Sequence, residues 1–498
     1  MSDYDVIVIG AGCGGLTAGA LLAGQGRKVL VLEQSGEIGG CCSSYTRDGH
    51  TFDVGASIVE AVYVIDQAFG ELGTSAKAEL DLIPCDPIYT SLSRDGSRLT
   101  YPLSMEKAIE TIGAVSPADA ARFRDYAAYF QKFLSIGDDY FTSPASTMTD
   151  MLRMLWRKPG MLRFVPLFFQ SYEDVMRKYF RDEKILESMT YQSYYFGHPP
   201  DLTPGLFAVV PCSEHEGIFY PRGGMIQIPA AIRRVGERRG LELRLNQRVS
   251  RVLVRERRAQ GVRLADGTEI TAKLVVSNIN AKTLYLDLIG EEHLPRLTRH
   301  GIKSYAPSMS CPMMYIGLDS APPLESHHTI FPLPLAEMDR YSWIDYPAGR
   351  LPKEQFGIIA YTTLTDPSLA PAGRHVINLT LMGPYKLLGT DWDAEKPRFQ
   401  EEVIKFLSRF AIPDLEKHVT MVEMTSPLDF ERRLLHPGGA IYGLQQDLTA
   451  QTVFRPSARS RAIKGLYLVG ASTHPGGGVP TTIGSGIIAS ELIKKYEN

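Results

Sequence analysis

Tyr4-Asp5-Val6-Ile7-Val8-Ile9-Gly10-Ala11-Gly12-Cys13-Gly14-Gly15 decides the fold. Residues 4–9 form a short β-branched apolar run, the composition of a strand covered on both faces. The run enters a G-x-G-x-x-G turn, followed by a small-residue segment of helical length at 16–23 and a second apolar run at 28–32 that ends on Glu33. Each glycine has its own mechanical role. Gly10 allows the tight turn, Gly12 lets backbone approach a pyrophosphate, and Gly15 lets helix and strand pack closely. Gly14 belongs to the same loop. The helix N-terminus offers free N–H groups and partial positive charge to the phosphates. Glu33 stands near the ~20-residue spacing at which an acid accepts hydrogen bonds from the adenosine ribose. A lone glycine triplet is weak evidence. Strand, turn, helix, second strand and terminal acid in one unit predict a dinucleotide-binding α/β domain.

The continuation Gln34-Ser35-Gly36-Glu37-Ile38-Gly39-Gly40 resembles the extended FAD fingerprint of glutathione-reductase-like flavoproteins. Arg47-Asp48-Gly49-His50-Thr51-Phe52-Asp53-Val54-Gly55 resembles the segment that follows it in the carotenoid branch. Residues 465–480, which include Gly470, Ser472, His474, Val479 and Pro480, resemble the C-terminal signature of bacterial phytoene desaturases. Phe219-Tyr220-Pro221-Arg222-Gly223-Gly224, Gly438-Gly439-Ala440-Ile441-Tyr442-Gly443-Leu444 and Leu274-Val275-Val276-Ser277-Asn278 are similar to further motifs of this group. Together the matches span the chain. They identify it with the phytoene desaturase, carotenoid isomerase and retinol saturase family.

Within that family the strings point in different directions. Gly39-Gly40-Cys41-Cys42 resembles retinol saturases, the 47–55 string resembles carotenoid isomerases, and the ending resembles desaturases. Where bacterial phytoene desaturases continue Gly-Gly-Arg-Ala, Cys41 removes the cation expected near the pyrophosphate. The resemblance implies non-covalent FAD bound by Gly10, Gly12, Gly14, Gly15, Glu33, Gln34, Gly39, Gly40, Cys41, Val54, Gly55, Val249, Gly470, Ser472, Val479, Pro480 and Thr481. Val249 corresponds to the position whose backbone meets adenine. A glycine-rich loop after a strand at 466–469 leads to an apolar helix at about 481–492. Its N-terminus is suited to face the flavin N1/O2 edge, where negative charge develops.

The expected architecture is a glutathione-reductase-like FAD-binding Rossmann domain from 1–75, 215–300 and 425–498, with a discontinuous α+β substrate domain from 76–214 and 301–424. Within 241–278 short strands alternate, with a hairpin signal at Asp266-Gly267. The resemblance implies hydride transfer from a lipophilic isoprenoid or polyene to flavin N5, in phytoene-type desaturation. Isomerase or saturase chemistry with reduced FAD, and an amine or amino-acid oxidase on the same fold, remain alternatives. So does a non-enzymatic flavin-binding relative. His474, Asp53 and Glu60 are the candidates for moving a proton, although for each a structural role outweighs a catalytic one: Asp53 can hydrogen-bond loop backbone, and His474 can orient the 475–478 turn. Electrons would pass to oxygen or a quinone.

Composition narrows the partners. Lys+Arg number 53 against 56 Asp+Glu, a net charge of −3, so no basic excess points to nucleic acid. Six cysteines show no redox or zinc spacing, and no metal site is expected. No apolar run reaches the ~20 residues of a spanning helix, and the start of the chain lacks a basic, apolar leader. A cytoplasmic enzyme is the expectation, peripheral on the membrane face because of residues 151–172. This stretch has no acidic residue, yet carries Arg153, Arg157, Lys158 and Arg163 among Met151, Leu152, Met154, Leu155, Trp156, Met161, Leu162, Phe164, Val165, Leu167, Phe168 and Phe169. Interfacial helices have this composition. A core-packed segment with a solvated basic face has it too.

Overall fold

A computed structural model describes residues 2–137, 139–145, 147–447 and 452–497. The apolar run becomes β1 (Tyr4–Ile9), followed by α1 (Cys13–Gly24) and β2 (Val29–Leu32). Three later strands complete the parallel layer: β3 (Glu242–Arg244), β4 (Glu269–Ser277) and β5 (Leu466–Leu468). The spatial order is β3-β2-β1-β4-β5, with Val6 opposite Val29 on one side and Leu274 on the other. Val6, Ile7 and Val8 are wholly buried, which explains the unbroken apolar run. Strands Val249–Arg255 and Arg258–Leu264 extend β4 as an antiparallel ribbon. Gly267, at φ +90°, makes the turn foreseen at Asp266-Gly267. The preceding turn had no glycine to signal it: Glu256 and Arg257 themselves take φ +50° and +58°.

α1 begins three residues earlier than the sequence suggested, so Gly14 and Gly15 lie inside the helix. The last helix, α2 (Val479–Tyr496), likewise starts two residues early, with Pro480 in its first turn, where no amide hydrogen is needed. A Cβ on Gly486 would lie 2.8 Å from the Gly14 carbonyl. Small residues thus bring α1 and α2 into close contact, with both N-termini facing one cavity.

A second seven-stranded sheet takes its strands from Tyr89–Leu92, Arg98–Tyr101, Met313–Leu318, His328–Phe331, Gly357–Ala360, His375–Leu381 and Val419–Thr425. All its pairings are antiparallel except that of His328–Phe331 with Tyr89–Leu92. A two-stranded ribbon, Leu82–Pro84 with Phe219–Pro221, ties the two regions together. The helix Pro117–Ile136 lines one side of the cavity through Gln131, Phe133, Leu134 and Ser135.

The acid-free stretch divides its apolar residues. It forms the helix Met148–Arg157 and the 3-10 segment Pro159–Phe169, with Pro166 inside the latter. Met161, Phe164 and Leu167 are core, whereas Leu152, Trp156, Leu162 and Phe169 are 63%, 84%, 58% and 80% exposed. Among the described residues no helix is long and apolar enough to cross a membrane.

Candidate functional site

One cavity of about 830 Å³ runs from the glycine turn, past both helix N-termini, into the interior, near the top of the ~300–1,000 Å³ range of ligand sites. Gly10, Gly12, Gly14, Glu33, Gln34, Gly39, Gly40, Cys41, Gly55, Val249, Gly470, Ser472, Val479, Pro480 and Thr481 all line it. The turn needs its glycines for two reasons. Gly10 sits at φ +94°, and a Cβ on Gly15 would stand 2.1 Å from the Gly10 carbonyl. Gly15 therefore serves helix packing and does not line the cavity. The Asn278 side chain occupies the space that Cβ atoms on Gly12, Gly14 and Gly470 would need, holding turn, strand end and C-terminal loop together.

The residues fit a dinucleotide. α1 is capped by Gly12 and α2 by Gly478, neither with a side-chain cap hydrogen bond. The first N–H groups of both helices consequently lack intrahelical partners and point their partial positive charge at the cavity. Glu33 is positioned by three donors: Ala11 N at 2.8 Å to Oε2, and Ser35 N and Oγ at 3.0 and 2.9 Å to Oε1. A carboxylate offers about four acceptor positions, which leaves capacity for ribose hydroxyls.

The surroundings of Cys41 still hold a cation, supplied from elsewhere in the chain. Arg433, in the last turn of Pro427–Leu434, lines the cavity and donates from Nη2 to Ser43 Oγ at 2.6 Å. Its neighbour Arg432 pairs with Asp393, but no carboxylate pairs with Arg433 among the described residues. Burial pushes the Cys41 thiol up to about 11 against the opposing pull of Arg433. Cys41 is therefore a neutral wall residue.

Two proton-transfer candidates and, besides Gly15, one further binding candidate do not reach the cavity. Asp53 is buried, accepting from Ser44 Oγ and Tyr220 Oη, both at 2.5 Å, and from Met225 N at 2.8 Å. Burial raises its pKa to about 6 despite these donors; it is a framework acid joining three segments. His474 is wholly buried, its Nε2–H donating to the Tyr140 carbonyl at 3.2 Å, and burial lowers it to about 4. The loop reaches the cavity through Gly477 and Gly478, while the imidazole turns away beneath Tyr140. Val54 is core, its carbonyl accepting from Tyr315 Oη at 2.8 Å.

Glu60 does line the cavity, and burial raises it to about 7. Behind it stands Glu214, held by Gln192 Nε2 at 2.7 Å, with Oε1 unpartnered among the described residues. Burial, reinforced by Glu60, raises Glu214 well above the usual carboxylate range. Of the two interacting carboxyls only Glu60 faces the cavity. Sequence reasoning named Glu60 but missed Glu214, Arg433 and Asn278. Only Asn278 had a signal, since it closes the motif that begins at Leu274.

Beyond the fingerprint the cavity wall turns aromatic, with Phe133, Phe141, Tyr194, Phe196 and Phe207. The flavin containing amine oxidoreductase family matches residues 13–494. The neurosporene-forming phytoene desaturase of Rhodobacter capsulatus is 30% identical, over 98% of this chain and 93% of that protein. The zeta-carotene-forming phytoene desaturase of Myxococcus xanthus is also 30% identical, over 99% and 94%. An oxidoreductase structure from Methanosarcina mazei superimposes with a TM-score of 0.65, covering 98% of this chain and 100% of that one, at 15% identity. That likeness concerns the fold alone. A glycine cradle between two helix N-termini and near-full-length identity to phytoene desaturases lead to one assignment: the chain belongs to the flavin containing amine oxidoreductase family, beside the bacterial phytoene desaturases, and is an FAD-dependent oxidoreductase.

Proposed function

We propose that this enzyme dehydrogenates a long isoprenoid or polyene, in a reaction of the carotenoid desaturase type. The observation that carries the reading is the single cavity whose dinucleotide end continues directly into an aromatic-walled chamber. Such walls orient a greasy chain by contact and exclude water. FAD, held without a covalent bond, supplies the hydride acceptor. Glu60, with a pKa near the operating range, takes the proton from the neighbouring carbon, and Glu214 keeps a second charge out of its surroundings. A quinone or oxygen would serve as the final acceptor of the electrons that bound FAD would take up.

The deciding experiment is anaerobic incubation with phytoene, lycopene isomers and retinol in liposomes, with FAD oxidised or pre-reduced. Conversion only with oxidised FAD plus a quinone is the expected result. Conversion only with reduced FAD would mean isomerase or saturase chemistry, and turnover of soluble amines instead would overturn the polyene assignment.

Delivery of such a substrate explains the exposed face of 151–172, where Leu152, Trp156, Leu162 and Phe169 stand out beside Arg153, Arg157 and Arg163. We assign this face to the cytoplasmic surface of an anionic membrane, where each cation contributes ~1 kcal/mol and the exposed apolar groups insert. Trp156→Ala combined with Arg157→Glu is expected to reduce sedimentation with phosphatidylglycerol-containing vesicles. Unchanged sedimentation would remove the assignment.

A further inference from the structure

The chamber wall contains a polar chain that a pure hydrocarbon cannot satisfy. Ser57 Oγ lies 2.8 Å from His328 Nε2, and Tyr195 Oη lies 3.4 Å from His328 Nδ1. All three residues line the cavity. The chain is held firmly: His328 begins a strand of the second sheet, and His327 Nε2 donates to the Ser57 carbonyl at 2.8 Å while its Nδ1 meets Thr365 Oγ1 at 2.7 Å. Burial, reinforced by His327, pushes His328 well below its usual range, so the ring is neutral and carries one N–H. Burial likewise keeps the Tyr195 hydroxyl protonated.

Hydrogen counting then decides the matter. The chain holds three polar hydrogens and forms two hydrogen bonds. If the imidazole proton sits on Nε2, it donates to Ser57, Tyr195 donates to Nδ1, and the Ser57 O–H is unused. With the proton on Nδ1, Tyr195 accepts it, Ser57 donates to Nε2, and the Tyr195 O–H is unused. Either tautomer leaves one hydroxyl donor at an end of the chain. Facing it with hydrocarbon leaves a hydrogen bond unmade, and sites built with such donors discriminate strongly against ligands that lack the acceptor.

We propose that Ser57, His328 and Tyr195 form a docking site for an oxygen atom of the substrate, making the substrate an oxygen-bearing polyene or isoprenoid (an alcohol or an aldehyde) rather than a hydrocarbon. The proposal rests on the polyene reading above and names its substrate class. Neutral His328 lets the donor move from one end to the other by tautomer exchange, so the site accommodates an oxygen at either position.

The test titrates the FAD-loaded enzyme with lycopene and with its terminal aldehyde and alcohol, following the polyene absorption band. The oxygenated ligands are expected to bind about tenfold tighter or more, the ratio that ~1.4 kcal/mol confers. Ser57→Ala with Tyr195→Phe is expected to bring the ratio to about one by weakening only the oxygenated ligands. Equal affinities in the unmodified enzyme would overturn the proposal and leave the polyene reading standing, a result that does not depend on any variant folding. A variant that alters FAD affinity or the flavin spectrum while keeping the ratio would also overturn it, because the donor would then serve the cofactor. Failure of every polyene to bind would overturn the underlying reading as well.

Discussion

Arg433→Gln is expected to weaken FAD binding by about 10- to 100-fold, measured as the dissociation constant of apoprotein for FAD by flavin fluorescence. Arg433 lines the dinucleotide end of the cavity, beside Cys41 and Ser43, without a carboxylate partner among the described residues. The 39–42 turn adjoins the start of α1: Gly39 N donates to the Ala11 carbonyl at 2.9 Å, and Gly12 and Gly39 are bridged. A pyrophosphate at that helix N-terminus would share its surroundings with the guanidinium. Hydrogen bonds to charged groups contribute about 1.5–3 kcal/mol, and 1.4 kcal/mol is tenfold in affinity, hence the predicted range. Arg433→Lys should recover only part of the loss, because an ammonium lacks the bidentate fork. Cys41→Arg in the Arg433→Gln background should recover more, since it returns the cation to the neighbouring turn. Undiminished FAD affinity in Arg433→Gln would show that the helix N-termini suffice alone.

Arg433 also shows where the sequence stops being legible. The glycine turn could be read because its chemistry is local: strand, turn, helix and acid follow one another, and each glycine answers a steric demand within a few residues. The apolar β1 and the α2 region were readable for the same reason. Arg432-Arg433, by contrast, is a pair of like residues at a helix end. Only tertiary packing turns one to Asp393 in solvent and the other into the cavity. Asp53 and His474 lie in recognisable motifs, yet nothing local reveals that Tyr220 and Met225 claim the first or that Tyr140 covers the second. Ser57, Tyr195 and His328 come from three distant segments and share no spacing. Their juxtaposition is a property of the second sheet docking on the nucleotide fold. Residues 151–172 were ambiguous on composition because both readings apply, with one set of side chains core and another exposed.

Glu60→Gln is expected to lower kcat by about 10²- to 10⁴-fold, the usual contribution of a positioned base, with FAD content unchanged. Of the three proton-transfer candidates named from sequence, Glu60 alone stands on the cavity wall, and its pKa is raised to about 7 by burial. The active form is the carboxylate, so activity of the unmodified enzyme should rise with pH through about 7. That rising limb should vanish in Glu60→Gln. Glu214 separates a catalytic from a packing role. Burial and the Glu60 charge both oppose its ionisation. Unlike Glu60 it does not line the cavity, so Glu214→Gln should leave the limb in place. The linked stability has the opposite sign to that of an ordinary ion-paired acid. With the folded pKa above the unfolded value, the folded state binds the extra proton, and stability declines as pH rises from the ordinary carboxylate range through about 7. Glu60→Gln removes that decline, so its melting temperature at pH 8 should equal or exceed that of the unmodified enzyme even as turnover collapses. Full activity in Glu60→Gln with the limb retained would place the proton acceptor elsewhere. Lost activity with a lower melting temperature at pH 8 would make Glu60 a packing residue.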